Sequence, residues 1–103
     1  MHASALCFRS GAGSMDDVME IIKTELAPGL MAEEGFGAYH ALDSGDGELL
    51  FVVLYRDGEA CKRSSQGITE WVGDRLSPFE FTPSHAYQGE VRLSSVPQHN
   101  VPG

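Results

Sequence analysis

The run Leu49-Leu-Phe-Val-Val-Leu-Tyr55 is apolar without alternation. At strand length, that pattern means a strand buried on both faces of a sheet. It is too short to cross a bilayer, and no longer apolar run exists. A second segment, Ala3 to Arg9, has the same character: Ala5 and Cys7 lie on one face and Leu6 and Phe8 on the other. The chain must therefore bring these two strands to the middle of a sheet.

The remaining elements follow from periodicity and punctuation. Ser14 is a good helix N-cap, with Asp16 and Asp17 placed where the helix dipole favours negative charge. Val18, Ile22, Leu26 and Leu30 form an apolar stripe, widened by Met15, Met19 and Met31. Pro28 lacks an amide donor and crowds the preceding turn, so a break is expected near Ala27. Gly35 to Leu42 reads as a strand with Phe36, Ala38, His40 and Leu42 on one face and Tyr39 and Ala41 on the other. Asp43-Ser-Gly-Asp-Gly47 then marks a hairpin into the Glu48 to Arg56 strand. A second helix runs from Asp57-Gly58 to about Leu76, its inward stripe Cys61, Ser64 or Ser65, Ile68, Val72 and Leu76, with Trp71 beside it. Gly67 weakens it and Ser77-Pro78 stops it. The last strand, Ala86 to Ser94, alternates, with Tyr87, Val91 and Leu93 expected inward.

This order is strand, helix, strand, strand, helix, strand. Right-handed crossovers place strands 1 and 3 centrally and 2 and 4 at the edges. The expected fold is α+β and ferredoxin-like, βαββαβ: a four-stranded antiparallel sheet with two helices on one face. One domain is expected over residues 1–94, with residues 95–103 a loose tail. With both helices on one side, the other side shows the apolar residues of the two central strands. Such a patch usually marks an interface, and a second copy related by two-fold symmetry is the simplest partner.

Charge narrows the partners. Fifteen acidic residues against seven basic ones give a formal charge of −8, which argues against nucleic acid and anionic membranes. Cys7 and Cys61 fit two reduced thiols. The amino terminus lacks a basic region followed by a long apolar stretch, so a cytoplasmic protein without a secretory signal is expected.

Catalytic signals are sparse. His40 is the best candidate acid or base, in a strand bordering the sheet; the plain alternative is a strand-edge histidine facing solvent. Trp71, Tyr39, Tyr55 and Ser65 join His40 as candidate lining of a cavity between sheet and helices, and each reads equally well as packing. The histidines and cysteines show no metal-ligand spacing. Gly11-Ala-Gly13 lacks the remainder of a phosphate loop. No metal or cofactor is expected.

The stretches GFGAYHALDSGDGELLFVVLYRD and SSQGITEWVGDRL, with the late Gly89-Glu90-Val91, resemble small bacterial proteins of the dimeric α/β-barrel superfamily related to antibiotic-biosynthesis monooxygenase-like domains. The resemblance spans roughly residues 3 to 94 and implies the same fold and a homodimer through the open sheet face. It also implies cofactor-independent oxygenation of quinols or aromatic polyketides, or haem degradation. The haem-degrading relatives use an Asn on the first strand, a Trp and a His. Here the first strand, ALCFRS, has no Asn, and no His follows Trp71 before His85. Only Trp71 carries over, as a cavity wall. The resulting expectation is a dimer that binds a small aromatic ligand; the alternative is a cofactor-independent monooxygenase-like enzyme.

Overall fold

The computed structural model describes residues 1–11, 13–93 and 95. The elements run β1 (His2–Arg9), α1 (Met15–Ile21), a π-helical turn (Ile22–Leu26), α2 (Ala27–Met31), β2 (Phe36–Gly45), β3 (Glu48–Tyr55), α3 (Gly58–Arg75), a 3-10 turn (Ser77–Phe79) and β4 (Thr82–Glu90). The sheet order is β2-β3-β1-β4, and every neighbouring pair is antiparallel. This is the expected ferredoxin-like α+β fold, with the two doubly apolar strands in the centre. Apart from Ser95, the expected tail lies outside the described residues.

β3 alternates strictly. Leu49, Phe51, Val53 and Tyr55 are fully buried against the helices, while Leu50, Val52 and Leu54 are half-buried on the opposite face. β1 follows the same division: Ser4, Leu6 and Phe8 face the helices, and Ala3, Ala5 and Cys7 the open side. From the helices, Val18, Ile22, Leu26, Leu30, Cys61, Ile68, Val72 and Leu76 complete one core. Phe8 and Phe51 meet edge to face at 5.9 Å between centroids, a favoured geometry for aromatic pairs.

The first helix does not break at Ala27. Its backbone stays right-handed helical from α1 into α2, and the Ala27 amide donates to the Ile22 carbonyl five residues back. Pro28 sits in the first turn of α2, where a missing amide is tolerated. The wider turn just before it gives the proline ring room. It also realigns the apolar stripe. Residues spaced by four drift around a regular helix of 3.6 residues per turn, about 120° over the interval from Val18 to Leu30. One wide turn cancels much of that drift, and Val18, Ile22, Leu26 and Leu30 are all buried.

β2 differs from expectation at its start. Phe36 pairs with Tyr55 and Ala38 with Leu54, so Gly37 is an extra residue in a β-bulge. A Cβ at Gly37 would sit 3.0 Å from the Leu54 carbonyl oxygen, which explains glycine there. The bulge puts Phe36 on the helix face with Tyr39 and Ala41, apart from Ala38, His40 and Leu42. The hairpin closes at Asp46 and Gly47, with φ of 53° and 76°, as a two-residue turn matched to strand twist requires.

β4 starts earlier than expected, at Thr82, and contains Pro83, which an edge strand tolerates. Tyr87 is not inward: it pairs with Ala5 on the open face and is 63% exposed. Leu93 lies past the strand and is 94% exposed. Clean alternation identified the strand but not which face meets the helices: Gln88, on the other face from Tyr87, reaches the Gly58 carbonyl at the start of α3.

Candidate functional site

A concavity of about 670 Å³ runs along β2 beside the first helix. Met19, Ile22, Tyr39 and Ala41 form its helix side, His40, Leu42 and Val52 its sheet side, and Lys23 stands at its rim. The strand period produces this arrangement: successive residues point to opposite faces, so Tyr39 and His40 border the groove from opposite sides of β2. The walls are mainly apolar, and the polar groups are the Tyr39 hydroxyl, the His40 imidazole and the Lys23 ammonium. Among the described residues, no hydrogen bond or ion pair links His40, Tyr39 or Lys23 to another side chain.

Tyr55 is elsewhere. It is fully buried at the end of β3, where its hydroxyl donates to Glu33 Oε1 and accepts from Ser64 Oγ at 2.8 Å. Burial, and then the hydrogen bond to the Glu33 carboxylate, push its phenol up to about 12. A hollow of about 320 Å³ opens over this network, lined also by Glu34, Ala60 and Arg63. Ser65 bonds to Ser4 Oγ at 2.7 Å and reaches the Cys61 carbonyl at 2.9 Å, tying α3 to β1. Trp71 packs half-buried against the core. Of the five candidate lining residues, Tyr39 and His40 share the groove, while Tyr55, Ser65 and Trp71 each stand apart.

Sequence reading missed Met19, Ile22, Lys23, Ala41, Leu42 and Val52 as groove residues. It also missed the Glu33–Tyr55–Ser64 network. Met19 and Ile22 were recognisable as the apolar stripe of the first helix, but nothing local said that this helix lies over β2. Burial raises the Cys61 thiol, so it behaves as a packing residue. No helix among the described residues is long and apolar enough to cross a membrane. Among the described residues, no group of three or more metal-ligating side chains converges.

No protein-family description and no curated protein matches the sequence. Solved structures do match in fold. A monooxygenase from Streptomyces coelicolor, ActVA-Orf6, in complex with nanaomycin D, superposes with a TM-score of 0.70 at 14% identity, covering 94% of this chain and 92% of that one. The heme-degrader MhuD from Mycobacterium tuberculosis, with two hemes in its active site, gives 0.69 at 18% identity over 93% and 100%. A dimeric ferredoxin-like protein from an uncultured marine organism gives 0.65 at 15% identity over 93% and 98%. The chain thus has the ferredoxin-like fold found in antibiotic-biosynthesis monooxygenase-like proteins.

Proposed function

We propose that this protein is a homodimer, joined through its open sheet face, that binds a small aromatic molecule in the groove between β2 and the first helix. The groove carries the reading: about 670 Å³ of mainly apolar concavity bordered by three separated polar groups. That volume and composition are those of small-molecule sites, where apolar walls supply affinity and a few polar groups fix orientation. The ligand-bound and dimeric proteins of the same fold support both halves of the reading. The free thiols Cys7 and Cys61 fit a reducing, cytoplasmic setting.

Binding is tested by calorimetric titration of the purified protein with 1-hydroxy-2-naphthoate, an aromatic probe stable in air. Saturable binding that Met19→Trp abolishes, with the circular dichroism spectrum unchanged, supports the reading. Equal binding by wild type and Met19→Trp places the ligand elsewhere and refutes the assignment.

The same groove carries a second reading, cofactor-independent oxygenation of a quinol or polyketide-type substrate. His40 at the groove is the observation in its favour, since such chemistry needs a base near neutral pH. Oxygen uptake on a naphthohydroquinone that His40→Ala abolishes would support turnover. We prefer binding, because no second side chain orients His40 by a hydrogen bond among the described residues, as acid–base machinery normally requires.

A further inference from the structure

The groove is walled unequally. Its helix side is solid, built by Met19 and Ile22 with Tyr39 and Ala41 beneath them. Its sheet side consists of His40, Leu42 and Val52, which belong to the open face: His40 pairs with Val52, and Leu42 with Leu50. A ligand resting on these three residues keeps its far side in water. Val52 also borders a second hollow of about 400 Å³, where Ala3, Ala5 and Tyr87 line the open face across β1 and β4. The groove and the apolar face are therefore continuous, meeting at Val52.

Charge selects what covers that face. The chain carries −8, yet the face its strand register places on the open side between β2 and β4 is nearly uncharged: Ala38, His40 and Leu42, then Leu50, Val52 and Leu54, with Ala3, Ala5 and Cys7 opposite His85, Tyr87 and Gly89. Its one carboxylate by register, Glu48, lies 3.7 Å from Arg9 at the end of the sheet, and Glu90 borders the hollow at the end of β4. Two acidic copies that meet there oppose few carboxylates, and Glu48 among them is offset by Arg9, whereas the exposed Asp16, Asp17 and Glu20 of α1 and Glu59, Glu70 and Asp74 of α3 would set carboxylates against each other.

We infer that a second copy on the open face supplies the missing wall of the groove, so that ligand binding and dimerisation reinforce each other. This rests on the proposed reading of the groove as an aromatic-ligand site and adds its regulation by assembly. Linkage is reciprocal. A probe that binds each of two grooves tenfold more tightly in the dimer strengthens dimerisation by up to about a hundredfold at saturation.

The experiment is sedimentation equilibrium of the full chain with and without saturating 1-hydroxy-2-naphthoate, alongside titration of Tyr87→Glu. Tyr87 is exposed and outside the groove, so this variant tests association without touching the site. Tyr87→Ala weakens the interface enough to measure dissociation should the wild-type dimer prove too tight. The expected result is at least a tenfold tighter dimer with probe, and at least tenfold weaker probe binding by monomeric Tyr87→Glu. Saturable probe binding with an unchanged dimer constant, and equal affinity in Tyr87→Glu, overturns the linkage and leaves the ligand reading standing. A probe that weakens the dimer also overturns it, because the partner would then compete for the groove. Absence of saturable binding to wild type overturns the ligand reading and the linkage with it.

Discussion

Replacing Tyr55 by Phe removes one oxygen from a buried network whose energetics can be followed in two ways. At neutral pH the loss strands Ser64 Oγ, which is buried and donates to Tyr55; leaving such a group unpaired costs about 1–3 kcal/mol. For a domain of this size each kcal/mol lowers Tm by about 4–8 °C. The alkaline behaviour is more specific. In the folded chain the phenol is raised from 10.0 to about 12, so folding favours its protonated form. That contribution is fully present below pH 10, where the unfolded phenol keeps its proton. It is lost as pH rises from 10 to about 12, a loss of roughly 3 kcal/mol. The stability advantage of wild type over Tyr55→Phe should therefore shrink across that interval and then vanish or reverse. Absorbance at 295 nm gives a direct readout: among the chain's three tyrosines, one ionisation step near 12 should be present in wild type and missing in Tyr55→Phe. A late step that survives the substitution, or a stability gap that stays constant to pH 12, would refute the assignment.

Three further substitutions probe the scaffold, each read by chemical denaturation. Asp57→Ala removes the acceptor that takes the Ala60 amide at 2.8 Å and should cost about 1 kcal/mol of stability; no loss would mean that the cap contributes nothing to α3. Gly37→Ala forces a Cβ to 3.0 Å from the Leu54 carbonyl oxygen, and because backbone cannot swing away it should destabilise by about 1–3 kcal/mol. Gly67→Ala meets nothing within 4 Å on α3 and should stabilise by up to about 1 kcal/mol. The opposite signs expected of these two glycines separate steric demand from helix propensity.

The fold was readable because its strongest signals are physical necessities. An apolar run such as Leu49 to Tyr55 has to be central, and the order of elements then fixes the topology. Two devices were hidden in plain features. The strict spacing of four between Val18 and Leu30 is too long for a regular helix, and the π turn is what makes it a single buried stripe. Gly37 inside a strand pattern signalled the bulge that moves Phe36 to the core.

The site was less readable. Tyr39 and His40 are adjacent in sequence and border one groove, but their wall partners Met19, Ile22 and Val52 come from elements whose placement depends on tertiary packing. Tyr55 looked like a cavity residue because a tyrosine ending an apolar strand can face either core or solvent. Its partners Glu33 and Ser64, on other segments, draw it into a buried network instead.

The central claim is that the groove along β2 holds a small aromatic molecule. Proton NMR of the His40 and Tyr39 rings during titration with 1-hydroxy-2-naphthoate tests it most directly, with assignments from His40→Gln and Tyr39→Phe. The account predicts that both sets of signals shift along one saturation curve, while the Tyr55 ring in its buried network stays still. Shifts centred on Tyr55, or His40 and Tyr39 signals unmoved at saturating probe, would contradict it.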